Sequence, residues 1–181
     1  MSATLAGFGL VPAYHPSGTL RPTSYSIATG YATAIYANQP VKLTANGVIE
    51  AAAVNDRFIG TFQGVRWTDT DGVTHFSNRW TASTAGTDIE CWVTLDPAIV
   101  YSIQADDTLD VTSIGGQYDF NAVSNSGNFS TQTLDVASIA NNAALQIVGL
   151  TPGPDNAWGD AYPTVLVRIS EHQMVADIAD F

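Results

Sequence analysis

The chain is nearly devoid of positive charge. Six Lys and Arg residues stand against 17 Asp and Glu, a formal net charge of −11 at pH 7. A nucleic-acid binder must neutralise phosphates with clustered cations, so this balance excludes one. Cysteine is equally scarce. Cys91 stands alone, which excludes an internal disulfide and a thiolate zinc site. No stretch approaches the roughly 18 apolar residues that a membrane helix needs. No basic region precedes the short apolar run over residues 5–11, so a cleaved signal peptide is not expected.

Catalytic motifs are missing as well. There is no G-x-S-x-G elbow for a nucleophilic serine. The single lysine, Lys42, follows Pro40-Val41 instead of a phosphate-cradling glycine run. His15, His75 and His172 lie far apart and show no H-E-x-x-H spacing, and both His15 and His172 read as surface or interface residues. Asp69-Thr70-Asp71-Gly72 begins like a calcium loop but lacks the later ligands, so it reads as a hairpin turn. Neighbouring carboxylates in a strand point to opposite faces, which leaves Asp106-Asp107 as a solvated turn. Neither a catalytic residue, nor a metal, nor a cofactor is expected, and the chain reads as a non-enzyme.

What is present is β-forming. Charged residues make up 13% of the chain and aromatics 10%. The first figure is about half the usual share, but the second is incompatible with disorder. Val41 to Ala45 and Val48 to Glu50 flank Asn46-Gly47, the strongest short hairpin signal, expected as a type I′ turn. Asp71-Gly72 is expected to turn the chain in the same way. Ile89, Cys91, Val93 and Leu95 alternate with Glu90, Trp92 and Thr94, and Val165, Val167 and Ile169 alternate around Leu166 and Arg168. Gly60 and Gly64 predict bulges or close backbone approach in a bent strand. Residues 134–140 read as one short helix of two turns, capped by Thr133.

Acidic and basic residues are segregated along the chain. Residues 1–49 hold no Asp or Glu, and no basic residue lies between Trp80 and Val167. Residues 1–26 combine Pro12, Pro16 and Pro22 with Gly7, Gly9 and Gly18, which forbids a continuous helix and interrupts any central strand. The same segment carries Leu5, Phe8, Leu10, Tyr14 and Tyr25, too many apolar groups for a free tail. Either it packs on its own domain or it lies on a partner; an extended arm lying on a partner is the expectation, followed by one β domain over residues 27–181.

Three stretches suggest a family: residues 30–43, ending in Pro40-Val41-Lys42-Leu43; residues 55–64, with Ile59-Gly60-Thr61-Phe62; and residues 154–160, centred on Trp158. Together they resemble the head decoration (capsid cement) proteins of tailed bacteriophages, of the lambda-type trimeric family. The resemblance implies a mainly β fold, a small β-barrel of the β-tulip type. The greater length of this chain adds strands and leaves room for an outer lobe within residues 68–130. It also implies a homotrimer on the outer surface of the virion capsid, made in the bacterial host cytoplasm, which clamps neighbouring major capsid proteins.

On that reading Phe8, Tyr14, Arg21 and Tyr25 of the arm contact the capsid. Trp158 and Tyr162, in the proline- and aromatic-rich loop over residues 152–163, form the trimer interface. The alternative is a glycan-binding or host-adhesion module on the virion surface, with sugar rings stacked on Trp67, Trp80, Trp92 or Trp158. For these tryptophans the simpler role is to anchor a core or an interface.

Overall fold

A computed structural model describes residues 4–122 and 125–175. The fold is mainly β and is built on two curled sheets. Sheet one runs, in spatial order, β1 (Val11–Tyr14), β10 (Val100–Gln104), β16 (Thr164–Ile169), β15 (Leu145–Leu150), β11 (Gln117–Phe120) and β14 (Leu134–Asp135), every pair antiparallel. Sheet two runs β2 (Thr23–Tyr25), β9 (Thr87–Thr94), β6 (Gly60–Thr68), β4 (Pro40–Leu43) and β5 (Ile49–Ala51), with β7 (Thr74–Ser77) also on β6. Two short ladders join β3 (Ile35–Tyr36) to β8 (Arg79–Trp80), and β12 (Asn125–Ser126) to β13 (Phe129–Ser130).

The period-two pattern explains the inner faces. In β16, Val165, Val167 and Ile169 are buried while Arg168 is exposed; in β9, Cys91 and Val93 are buried. Each sheet folds around its own apolar cluster. One contains Leu10, Phe58, Tyr101, Phe120, Leu145 and Val167, and the other Ile35, Val41, Phe62, Val65, Trp80 and Val93. Each such side chain, fully buried, contributes about 1.5–3 kcal/mol. Phe58 precedes β6 yet belongs to the first cluster, where it meets Phe120 edge-on with ring centroids 5.7 Å apart. Beside it, the Tyr101 hydroxyl donates to the Thr94 carbonyl at 2.8 Å, and Phe58 bridges to His172. These contacts join the two clusters.

The closed barrel is corrected. Sheet one curls until the end of β10 reaches β14 and sheet two until the end of β2 reaches β5, each at a single parallel bridge, Ala105 to Leu134 and Ser26 to Val48. In sheet one the cause is Asp106. Its carboxylate accepts from Val136 N at 2.9 Å and from Asn121 Nδ2 at 2.8 Å, occupying the place where a ladder would continue. Asp106 is therefore a structural acceptor, not part of a solvated turn.

The expected helix is also corrected. Leu134 is drawn into β14 by pairing with Phe120, and only Val136–Ser138 forms a 3-10 turn, capped by the Asp135 side chain on Ala137 N instead of by Thr133. Tertiary pairing overrides the local preference here.

The arm is corrected in turn. Residues 4–26 are laid along both sheets: β1 pairs with β10, β2 pairs with β9, and Leu10 is fully buried. The Gln104 side chain accepts from Ala6 N at 2.7 Å and donates to Thr4 O at 2.9 Å. A Cβ on Gly7 would overlap the Thr131 carbonyl, and one on Gly9 (φ 78°) would come within 2.7 Å of the Asn38 carbonyl oxygen, so these glycines permit backbone-to-backbone seating. Nor do residues 68–130 form a separate lobe, because they supply β9 to sheet two and β10 and β11 to sheet one.

The hairpins form, with a different turn from the one expected. Gly47 N donates to Thr44 O at 3.0 Å and Thr44 N to Val48 O at 2.9 Å, and Gly47, not Asn46, holds the positive φ. Asp69, Gly72 and Val73 repeat this arrangement. Both are three-residue loops, a type I turn followed by a left-handed glycine.

Candidate functional site

The outer edge of sheet one carries the most distinctive surface. β1 is an edge strand, and its Pro12 has no N–H to offer, as suits an edge. At its end Tyr14 sits opposite Val100 and is 48% exposed. It lines a groove with Pro16, Ala98, Val100, Val148 and Arg168. A second cleft adjoins it, lined by His15, Ser17, Thr19, Arg21, Asp96 and Ile99. Neither Arg21 nor Arg168 forms an ion pair among the described residues. Two cations without an ion-pair partner among the described residues thus flank an exposed tyrosine on a strongly acidic protein.

Ser17, His15 and Asp96 follow one another in this cleft, but they are not a nucleophile and its base. His15 Nδ1 accepts from Ser17 N at 3.0 Å as well as meeting Ser17 Oγ at 2.6 Å, so its lone pair is already engaged by a fixed donor. Asp96 Oδ1 lies 3.4 Å from His15 Nε2 and accepts from Ala98 N at 2.9 Å. The trio staples the 15–18 turn onto the Asp96-Pro97 turn. His15 is accordingly a half-buried structural residue.

The remaining residues singled out from sequence are dispersed. Phe8 is half-buried between the seated glycines, and Tyr25 packs against the sheet-two cluster. Trp158 packs against the sheet-one cluster, and the Tyr162 carbonyl accepts from Gln104. The loop holding them is fastened by Asn156, which donates to Thr151 O and Thr164 O, both at 2.7 Å, and accepts from Thr164 N at 2.8 Å. Only Tyr14 and Arg21 share one face, joined by Arg168, which sequence reasoning placed outward but did not single out.

The titratable groups are structural. Burial pushes the Cys91 thiol up to about 12, which leaves it unreactive. Asp69 is held below the usual carboxylate range by its 2.7 Å hydrogen bond to His75 and by the amides of Val73 and Asp71. His75 in turn stacks on Trp67 with centroids 5.2 Å apart. His172, read from sequence as a surface residue, is buried: its Nε2 meets Leu95 O at 2.8 Å and its Nδ1 accepts from Met174 N at 3.1 Å. Burial lowers its pKa, and the Met174 amide facing Nδ1 leaves no room for a second ring proton. Among the described residues no group of three or more His, Cys, Asp and Glu side chains is placed to hold a metal ion.

No protein-family model, curated protein or solved structure matches this chain.

Proposed function

We propose that the chain is a structural decoration protein of a tailed-phage head, seated as a homotrimer on the outer capsid surface and clamping neighbouring major capsid proteins. The observation that carries this reading is the sheet-one edge: an edge strand open on one side, an exposed Tyr14, and Arg21 and Arg168 without an ion-pair partner among the described residues. An open strand edge offers main-chain hydrogen bonds to an extended segment of a neighbour. A buried tyrosine adds about 1.5–3 kcal/mol, and arginines suit an acidic shell. Three such edges per trimer raise the effective concentration of each contact. The binding element is the fixed edge itself, since residues 4–26 are part of the fold and are not a detachable arm.

The test is binding of the purified protein to undecorated capsids. Wild type is expected to co-sediment at about one copy per major capsid subunit. The triple variant Tyr14→Ala, Arg21→Glu, Arg168→Glu changes exposed side chains only and is expected to lose binding by about a hundredfold or more. Equal co-sedimentation of the variant, or wild-type occupancy of only a few copies per head, overturns the reading.

A further inference from the structure

The outer side of sheet two carries a depression that the capsid reading leaves unused. It has a volume of about 480 Å³ and is lined by Gln63, Gly64, Phe76, Asn78, Trp92 and Asn128. That size falls within the range of small-ligand sites, about 300–1,000 Å³. Its floor is the missing side chain of Gly64, which pairs with Trp92 across β6 and β9. A Cβ there would approach Ser77 O to 3.3 Å and Trp92 Cε3 to 3.8 Å.

Phe76 is 72% exposed, the highest exposure among the large apolar residues. Neither Phe76 nor Trp92 stacks on another ring of the described residues, and the Trp92 indole N–H and the side-chain amides of Asn78 and Asn128 have no protein hydrogen-bond partner there. In the adjoining row Arg66 and Glu90 neutralise each other at 2.7 Å.

We propose that this depression binds a neutral saccharide, with one sugar ring laid against Trp92 and Phe76 and its hydroxyls met by the amides of Asn78 and Asn128, while the Gln63 amide stays on Thr61 Oγ1 at 3.0 Å. A pyranose presents an apolar C–H face and a polar rim, and the lining offers aromatic surface beside unpaired amides and an indole N–H. A wholly apolar ligand would strand those amides. A charged ligand finds no counter-charge in the lining, and a polyanion is repelled by the net charge of −11. The inference does not rest on the capsid reading, because a single protomer contains the whole depression.

The test uses the full chain on an array of neutral oligosaccharides ending in glucose, galactose or N-acetylglucosamine, with sialylated and sulfated glycans as charged controls. Bound members are then titrated as free oligosaccharides by calorimetry. Neutral members are expected to bind and charged ones not. Trp92→Ala and Phe76→Ala are each expected to weaken binding about tenfold, and Tyr14→Ala to leave it unchanged. Phe76 projects into solvent, so its variant keeps the fold, which matched thermal unfolding verifies. Absence of any bound neutral glycan, preference for charged ones, or binding indifferent to both aromatic substitutions overturns the proposal.

Discussion

Sheet one and sheet two solve the same packing problem and then present opposite surfaces. Both curl around an apolar cluster and are clasped by one parallel bridge. Sheet one leaves outside an open strand edge with a tyrosine and arginines that form no ion pair among the described residues. Sheet two leaves outside a neutral depression between two aromatic rings, with its nearby charges cancelled. Within the strands, interior requirements are met by alternation, which frees the outward half of each strand to specialise. The difference between the faces therefore lies in residues such as Arg168 and Trp92, whose neighbours in sequence are core.

The sharpest way to break the comparison is at Gly60. Its φ is 155°, and a Cβ there would overlap the Thr94 carbonyl across the β6–β9 ladder. Gly60→Ala is expected to cost about 4 kcal/mol or more and to abolish the registered pairing of sheet two. Gly64→Ala, with no positive φ and only the tight 3.3 Å approach, is expected to cost about 1 kcal/mol or less. Urea unfolding of the two variants checks the contrast.

The next largest effect concerns how far the two sheets are independent. Phe58→Ala removes the ring that sits in the sheet-one cluster while its backbone leads into sheet two. A loss of about 3–5 kcal/mol is expected. One transition shared by fluorescence and circular dichroism would show the sheets unfolding together, whereas two separated transitions would show the Phe58 junction is not a cooperative link.

The smallest effect is titration of His172, which joins the end of sheet one to the end of β9. Its folded pKa lies below the ordinary 6.5 because of burial. Between the two values the unfolded chain binds more protons, so stability rises with pH there. The contribution is complete above about pH 6.5 and is lost as pH falls through that value towards the folded pKa. Unfolding free energies measured from pH 7.5 to pH 5 are expected to fall more steeply for wild type than for His172→Asn.

The β character, the inward residues of β9 and β16, both hairpins and the special status of Gly60 and Gly64 were legible from alternation and turn chemistry. Closure was not: in sheet one the chain leaves the Ala105 bridge with the Asp106 carboxylate bonded to Val136 and Asn121, residues 30 and 15 positions away. The seating of residues 4–26 was misread for a related reason. Prolines and glycines do rule out a helix, but Gly7 and Gly9 are there to let backbone meet backbone at Thr131 and Asn38, a long-range contact without a local signature. Of the residues offered as a binding surface, Tyr14 and Arg21 share a face, Tyr25 and Trp158 pack against the two clusters, and Phe8 is half-buried. An apolar residue in an irregular segment signals burial without revealing whose core it enters.

The seating of residues 4–26 also fixes an order of events during synthesis. Val11 waits for Ser102 and Thr23 for Val93, strands that leave the ribosome some seconds later at about 5–20 residues per second. Until then Leu10 has only the early members of its native cluster, Ala52 and Phe58, and the Asn38 carbonyl to meet. The earliest part of the described chain to emerge is thus among the last to settle, and the nascent protein passes through a window in which a chaperone, or another copy, competes for it.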